Sequence, residues 1–301
     1  MDLDLAQLRA LSAAVSEGTF EAAARALHVT PSAISQRLRA LEVATGRVLL
    51  IRSKPVQVTE SGRAVLRLAR QVDLLAADTL AELGDGPTGG TGGTGPVVPT
   101  LPIAVNADSL GTWVLPALAP LAASVSFDLH RDDEHHTAAL LRSGTVVAAV
   151  TTAPDPVAGC SVTRLGTMRY RPMAATAFVQ RWFPDGPTPE SLGRAPVVVF
   201  DRKDDLQHRY LRGRVAEGAQ PPVHHVPATA DFLTAIRLGM GWGMLPDLQS
   251  RAGERAGDLV DLDPLGAVDV ELSWQQWKLR SASLDRVGAA VTAAARRELA
   301  R

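Results

Sequence analysis

The stretch Phe20-Glu-Ala-Ala-Ala-Arg-Ala-Leu-His-Val-Thr-Pro-Ser-Ala-Ile-Ser-Gln-Arg-Leu-Arg-Ala-Leu-Glu-Val43 decides the fold, because it reads as two short helices joined by a tight turn. Thr30 is placed to cap the second helix, and Pro31 falls at its first position, where a missing N–H costs nothing. Ile34, Leu38 and Leu41 share one stripe of that helix, while Ser32, Gln36 and Arg39 point the other way. A helix with an apolar back and a front of small polar groups and arginine fits a DNA major groove. The small first helix, with Ala23, Ala24 and Leu27, lets its partner approach closely, as a helix-turn-helix requires. A surface helical hairpin would show the same spacing, so periodicity alone leaves both readings open.

Outward toward the amino end, Leu8, Leu11 and Val15 predict a further helix that shares a core with Phe20 and Leu27. On the other side, Arg47 to Thr59 reads as two extended pieces around Ser53-Lys54-Pro55, a β-wing that puts Arg52 and Lys54 near phosphates. Seven bases against five acids leave residues 1–58 at +2, a weak bias. The whole chain carries a formal charge of −1, which argues against indiscriminate coating of nucleic acid but not against a local basic face.

Thr59 is a cap for a longer helix to about Leu83, on which Val65, Leu68, Val72 and Leu75 form an a/d seam that ends at polar Thr79. Residues 84–96 hold seven glycines and two prolines in thirteen positions and read as a flexible linker. A phosphate-binding loop is the alternative, but no Gly-Lys-Ser/Thr follows.

From Leu101 the pattern changes to alternating strands and helices. Strands are expected at Leu101–Val105, Val125–Leu129, Val146–Thr151, Tyr170–Ala175, Val197–Asp201, His224–Val226, Met244–Leu245 and Val270–Trp277. Helices are expected at Ser109–Ala122, Thr137–Arg142, Asp204–Leu211, Ala230–Leu238 and Leu284–Leu299, which together predict a mostly parallel α/β sheet in two lobes. The expected division is 1–58 for a winged helix-turn-helix, 59–83 for a pairing helix, 84–96 for the linker and 97–301 for an effector domain. Within the last, lobe I takes about 97–168 and 268–301 and lobe II about 169–267.

These residues resemble LysR-type transcriptional regulators. The resemblance runs through Phe20…Ala23-Ala24…Leu27-His28-Val29-Thr30-Pro31-Ser32-Ala33-Ile34-Ser35, then Leu41-Glu42…Gly46…Leu49…Arg52 and Thr59-Glu60-Ser61-Gly62. It continues through Val105 to Pro120, through Ala195–Phe200 and at Asp204-Asp205, where the chain is similar to the ArgP/LysG branch, whose members sense basic amino acids. The resemblance implies an amino-terminal winged helix-turn-helix, a helix that pairs subunits and a carboxy-terminal sensor like periplasmic binding proteins. It also implies promoter DNA, RNA polymerase and further copies of the chain, as homodimer or homotetramer, for partners, and L-lysine or L-arginine as effector with no other cofactor. The glycine-rich linker is longer than the resemblance leads one to expect, the wing carries Ser53-Lys54 rather than two bases, and Gly111 and Gly241 are expected to loosen their segments.

DNA contact is expected from Thr30, Ser32, Ala33, Ser35, Gln36, Arg37, Arg39, Arg52 and Lys54. A basic amino acid presents a carboxylate and cations, so its pocket needs an anion hole and an acid. The turn Asn106-Ala-Asp108-Ser109 supplies the first at a helix start, although Asp108 or Ser109 there would also serve as an ordinary cap. Asp133, within an acidic run that also reads as a solvated loop, and Asp204 are candidates for the second. Thr112, Trp113 and Phe200 are expected to line the same pocket.

An enzyme is the main rival class. Neither the pairs His135-His136 and His224-His225 nor Cys160 has zinc-ligand spacing, and no Gly-x-Ser-x-Gly elbow is present, so no catalytic and no metal residue is assigned. The single cysteine and the lack of a signal-like opening or a membrane-length apolar run fit a cytoplasmic protein.

Overall fold

The computed structural model describes residues 3–83, 98–131, 137–152, 155–216 and 218–300, which form two compact units. The first comprises Met1–Val105, Leu118–Thr163 and Trp274–Ala290, and the second Asn106–Ala117, Arg164–Ser273 and Val291–Arg301. The expected glycine-rich linker and Asp133 lie outside the described residues.

The first unit opens with α1 (Leu5–Ser16), α2 (Phe20–Ala26) and α3 (Pro31–Thr45), each started by a side-chain cap from Asp4, Thr19 or Thr30. Gly46, at φ 63°, ends α3 in the left-handed conformation that suits glycine. Leu8, Leu11, Ala14, Ala23, Ala24, Ile34, Leu38, Leu41 and Leu49 close a single core between the helices. The two-stranded wing, β1 (Leu50–Ile51) antiparallel to β2 (Gln57–Val58), follows.

Next comes α4 (Glu60–Glu82), capped by Thr59, whose hydroxyl accepts from Gly62 N and donates to Val48 O. A Cβ on Gly62 would lie 2.0 Å from the Leu49 carbonyl oxygen, so the Thr59-Glu-Ser-Gly62 run is what lets the helix start against the wing. Glu42 braces the same corner by accepting from Leu49 N at 2.9 Å.

Beyond residue 97 come β3 (Thr100–Val105), α5 (Ala107–Ser109), a π-turn at Leu110–Val114, α6 (Leu115–Leu118), a 3₁₀ turn at Ala119–Leu121 and β4 (Ser126–Arg131). They lead to α7 (Thr137–Ser143), β5 (Ala148–Thr151) and β6 (Cys160–Ala175). The chain goes on through α8 (Thr176–Trp182), α9 (Pro189–Leu192), β7 (Val197–Val199), α10 (Leu206–Leu211), β8 (Val223–His225) and α11 (Thr229–Arg237). It finishes with β9 (Gly243–Pro246), α12 (Asp247–Ala256), β10 (Leu259–Asp261), β11 (Val268–Trp277) and α13 (Ala282–Glu298).

In the first unit β3 lies between β4 and β5, parallel to both, with Ile103 opposite Leu129 and Ala148. In the second, β9 and β10 flank β6 and both run against it, so the sheet is mixed rather than mostly parallel. The reason is the unit β9–α12–β10, whose two strands meet opposite sides of β6 at Met173.

The single helix expected at Ser109–Ala122 is instead broken into short pieces. Pro116 has no N–H to give the Thr112 carbonyl, and the helix widens into the π-turn just before it. Gly111 and Gly241 tighten their segments rather than loosen them. A Cβ on Gly111 would lie 3.2 Å from Thr229 Cγ2, and one on Gly241 would lie 2.8 Å from Pro196 O.

Candidate DNA interface and effector site

On α3 the apolar stripe Ile34, Leu38 and Leu41 is buried, while Ser32, Gln36 and Arg39 are exposed and Ala33, Ser35 and Arg37 are half-buried. Thr30 spends its hydroxyl oxygen on the cap, accepting from Ala33 N at 3.2 Å, and lies 2.9 Å from Ser32 Oγ. It therefore fixes the helix start and orients Ser32. No hydrogen bond or ion pair among the described residues occupies the side chains of Ser35, Gln36, Arg37 or Arg39. Arg52 and Lys54 stand exposed on the wing, equally uncommitted. A rigid helix thus presents hydrogen-bonding groups that only water or another molecule can satisfy, flanked by cations suited to phosphate.

In the second unit, Asn106, Ser109 and Trp113 follow one side of the broken helix at spacings of three and four. All three are buried, Ser109 completely, and Asn106 Oδ1, Ser109 Oγ and Trp113 Nε1 have no hydrogen-bond partner among the described residues. Buried polar atoms are nearly always paired, and these three carry hydrogen-bonding capacity that no described residue uses. Asn106 begins the turn but makes no side-chain cap. Ser109 does not cap either, so the simpler capping alternative fails for Ser109.

Asp108 accepts from Tyr170 Oη at 2.8 Å, and Thr112 Oγ1 donates to the Asp108 carbonyl. Tyr170, buried on β6, went unrecognised in the sequence because its partner is 62 positions away. The first residue of α11, Thr229, packs against Gly111, and Ala228 gives that helix no side-chain cap. Its amino-terminal N–H groups add anion-attracting donors beside the turn. Helix-start signals at Thr229-Ala-Asp231 would have found them.

Phe200 and Asp204 are placed differently. Phe200 packs with Phe232, ring centroids 6.4 Å apart, at the edge of a core made by Met173, Val198, Ile236 and Leu245. Asp204 accepts from Phe200 N and Leu206 N, both at 3.1 Å, and so braces its own loop. Burial pushes its carboxyl above the ordinary range, a pull that those two N–H groups only partly offset. Among the described residues, no group of three His, Cys, Asp or Glu is placed to hold a metal ion.

A winged helix-turn-helix followed by an α/β module is the arrangement of a one-component transcriptional regulator. Residues 5–63 match the family model for bacterial regulatory helix-turn-helix proteins of the lysR family, and residues 95–296 match the LysR substrate binding domain. The chain belongs to the LysR family of bacterial transcriptional regulators. It is 42% identical over 293 residues to the HTH-type transcriptional regulator LysG of Mycobacterium tuberculosis, covering 97% of this chain and 94% of that one. The crystal structure of ArgP from Mycobacterium tuberculosis superposes with a TM-score of 0.82 at 42% identity, over 100% of this chain and 99% of the other. Full-length LysG from Corynebacterium glutamicum with bound effector Arg gives 0.75 at 39% identity, over 99% and 100%.

Proposed function

We propose that this protein binds promoter DNA through the α3 strip and the wing, senses L-lysine or L-arginine at the Asn106–Trp113 turn, and adjusts transcription of genes for amino-acid export or a related task. The observation that carries the sensing half is the row of buried, unpartnered Asn106 Oδ1, Ser109 Oγ and Trp113 Nε1 beside the uncapped start of α11. The likeness to a LysG structure that holds arginine supports the same choice of ligand.

In this reading the Ser109 hydroxyl, the Trp113 indole N–H and the α11 amides donate to the effector carboxylate. Asp108, held by Tyr170, offers the α-ammonium an acceptor, and Asp133 and Asp204 are the acids proposed for the distal cation. Arg52 and Lys54 meet phosphate, while Ser32, Ser35, Gln36, Arg37 and Arg39 supply base and backbone contacts, with Thr30 and Ala33 setting the approach of the helix. Paired copies bring two recognition helices to one operator, RNA polymerase is the further partner, and the site of action is the cytoplasm, where the promoter is. The chain regulates and does not catalyse. The effector switches it only by as much as it favours one state over another.

A thermal-shift screen of the twenty amino acids on the full chain, followed by a footprint on its own promoter region with and without the best hit, tests this. Stabilisation by lysine or arginine together with an altered footprint is the expected result. Stabilisation by neither overturns the sensing assignment, and no footprint at modest salt overturns the regulator.

A further inference from the structure

The long helix α4 carries two stripes with different fates. Leu68 and Leu75, the seam legible in the sequence, are 39% and 38% exposed. The stripe beside it is covered by the first unit itself: Gly62, Leu66, Ala69, Arg70, Leu74, Ala77 and Asp78 are all buried. Along this covered stripe the chemistry changes midway. Leu66 and Ala69 join the apolar core of the DNA-binding module, a dry junction.

The carboxy-terminal half ends on charge. Asp78, 7% exposed, accepts from Ser281 Oγ at 2.6 Å, and Ser283 N lies 3.5 Å from the same oxygen. Ser281 in turn accepts from Leu284 N at 3.2 Å, so the Asp78 carboxylate sits on the capped amino terminus of α13, the end of a helix that favours a negative charge. Its other oxygen, Oδ1, is buried without a partner among the described residues. Arg70, at the changeover, gives Nη2 to Ser16 at the end of α1 and leaves Nη1 buried and unpaired among the described residues, with Asp128 of β4 and Asp73 as opposing charges that act on it.

A junction meant to stay shut is cheapest when apolar, and half-paired buried charges narrow the gap between shut and open because water completes their bonding once they are released. We propose that the carboxy-terminal half of α4 is a latch. It docks reversibly through Asp78 on the Ser281–Ser283 turn, and Arg70 reports docking to α1 of the DNA-binding module. The state of the α/β module thereby reaches the recognition helix through α4. The latch stands on the geometry of α4, and only its effect on DNA rests on the proposed regulatory function.

Hydrogen exchange on the full chain tests it with two variants that pull in opposite directions. Asp78→Lys puts a cation on the α13 terminus and is expected to speed exchange of amides 74–82 and 281–284 roughly tenfold while leaving α1–α3 unchanged. Asp78→Leu makes the contact apolar while keeping Ser281 as the acceptor of Leu284 N, and is expected to slow exchange of amides 74–82 and to shift the promoter footprint opposite to the first variant. Shifts in the same direction in both variants, no shift in either, or faster exchange spreading through α1–α3 would overturn the latch. A wild-type chain that leaves its promoter region unprotected overturns the regulator reading alone, since the exchange result does not depend on it.

Discussion

The outer face of α3 and the turn from Asn106 to Trp113 both display polar groups without partners, yet one lies in water and the other is buried. Gln36 and Arg39 lose nothing by waiting, because solvent satisfies them. Ser109 and Trp113 do lose, because an unmade bond in a dry site carries a desolvation cost. The first arrangement suits a partner whose sequence must be read without strong prior commitment. The second suits a small ligand that restores what folding left unpaired. Substitutions of the unpartnered groups should therefore leave stability nearly unchanged on α3 and raise it slightly at the turn, while agreeing in direction for binding.

The largest effect is expected where the strip meets its support. Leu38→Ala removes a buried side chain from the back of α3 and should cost about 2–5 kcal/mol of stability. Its neighbour Arg39→Ala should leave the melting temperature nearly unchanged while weakening promoter binding by about 1–3 kcal/mol if it reads a base. Thermal denaturation and fluorescence anisotropy on the two variants separate the two roles. Equal loss of stability in both would mean that the strip is packed rather than presented.

The turn should behave the other way. Ser109→Ala deletes an orphaned hydroxyl, so the ligand-free protein should be as stable as the wild type or more so, by up to about 1 kcal/mol. Calorimetric affinity for lysine or arginine should fall roughly tenfold, the loss of one hydrogen bond to a charged group. A destabilised variant with unchanged affinity would show that Ser109 serves the fold. Tyr170→Phe should cost about 1–2 kcal/mol of ligand-free stability, because it strips the Asp108 carboxylate of its phenol donor.

This contrast also explains what the sequence made legible. The helix-turn-helix is local: the cap at Thr30, Pro31 at a helix start and apolar spacings of three and four all lie within a few residues of the elements they specify. The α/β half was readable as a succession of elements, but not in its details. Only Tyr170–Ala175 of the sixteen-residue β6 was expected, because exposed polar positions such as Arg164 and Arg169 interrupt the apolar pattern. The strongly polar α12 left no apolar run to notice, and its arginine partner is far away in sequence. Asp78 and Arg70 were passed over because charged residues in a helix are ordinarily assigned to solvent. What the sequence obscured in each case is a long-range pairing that gives a polar side chain a buried partner.

The smallest effect concerns Asp204 and decides on which side of the comparison it belongs. Burial raises its carboxyl in the folded state from the ordinary 3.8, so folding favours the protonated form. Its contribution to stability is fully present below the unfolded value and is lost as pH rises from about 4 through the folded value. Relative to Asp204→Asn, the wild type should therefore lose melting temperature over that interval, with each kcal/mol worth about 2–4 °C or less in a chain of this size. If Asp204 only braces its loop through Phe200 N and Leu206 N, saturating lysine or arginine will leave the slope of that difference unaltered. If it faces the effector's cation, the bound charge will favour the carboxylate, pull the folded value back down and flatten the slope. Melting curves of both proteins from pH 4 to 7, with and without ligand, distinguish a structural brace from a second member of the proposed site.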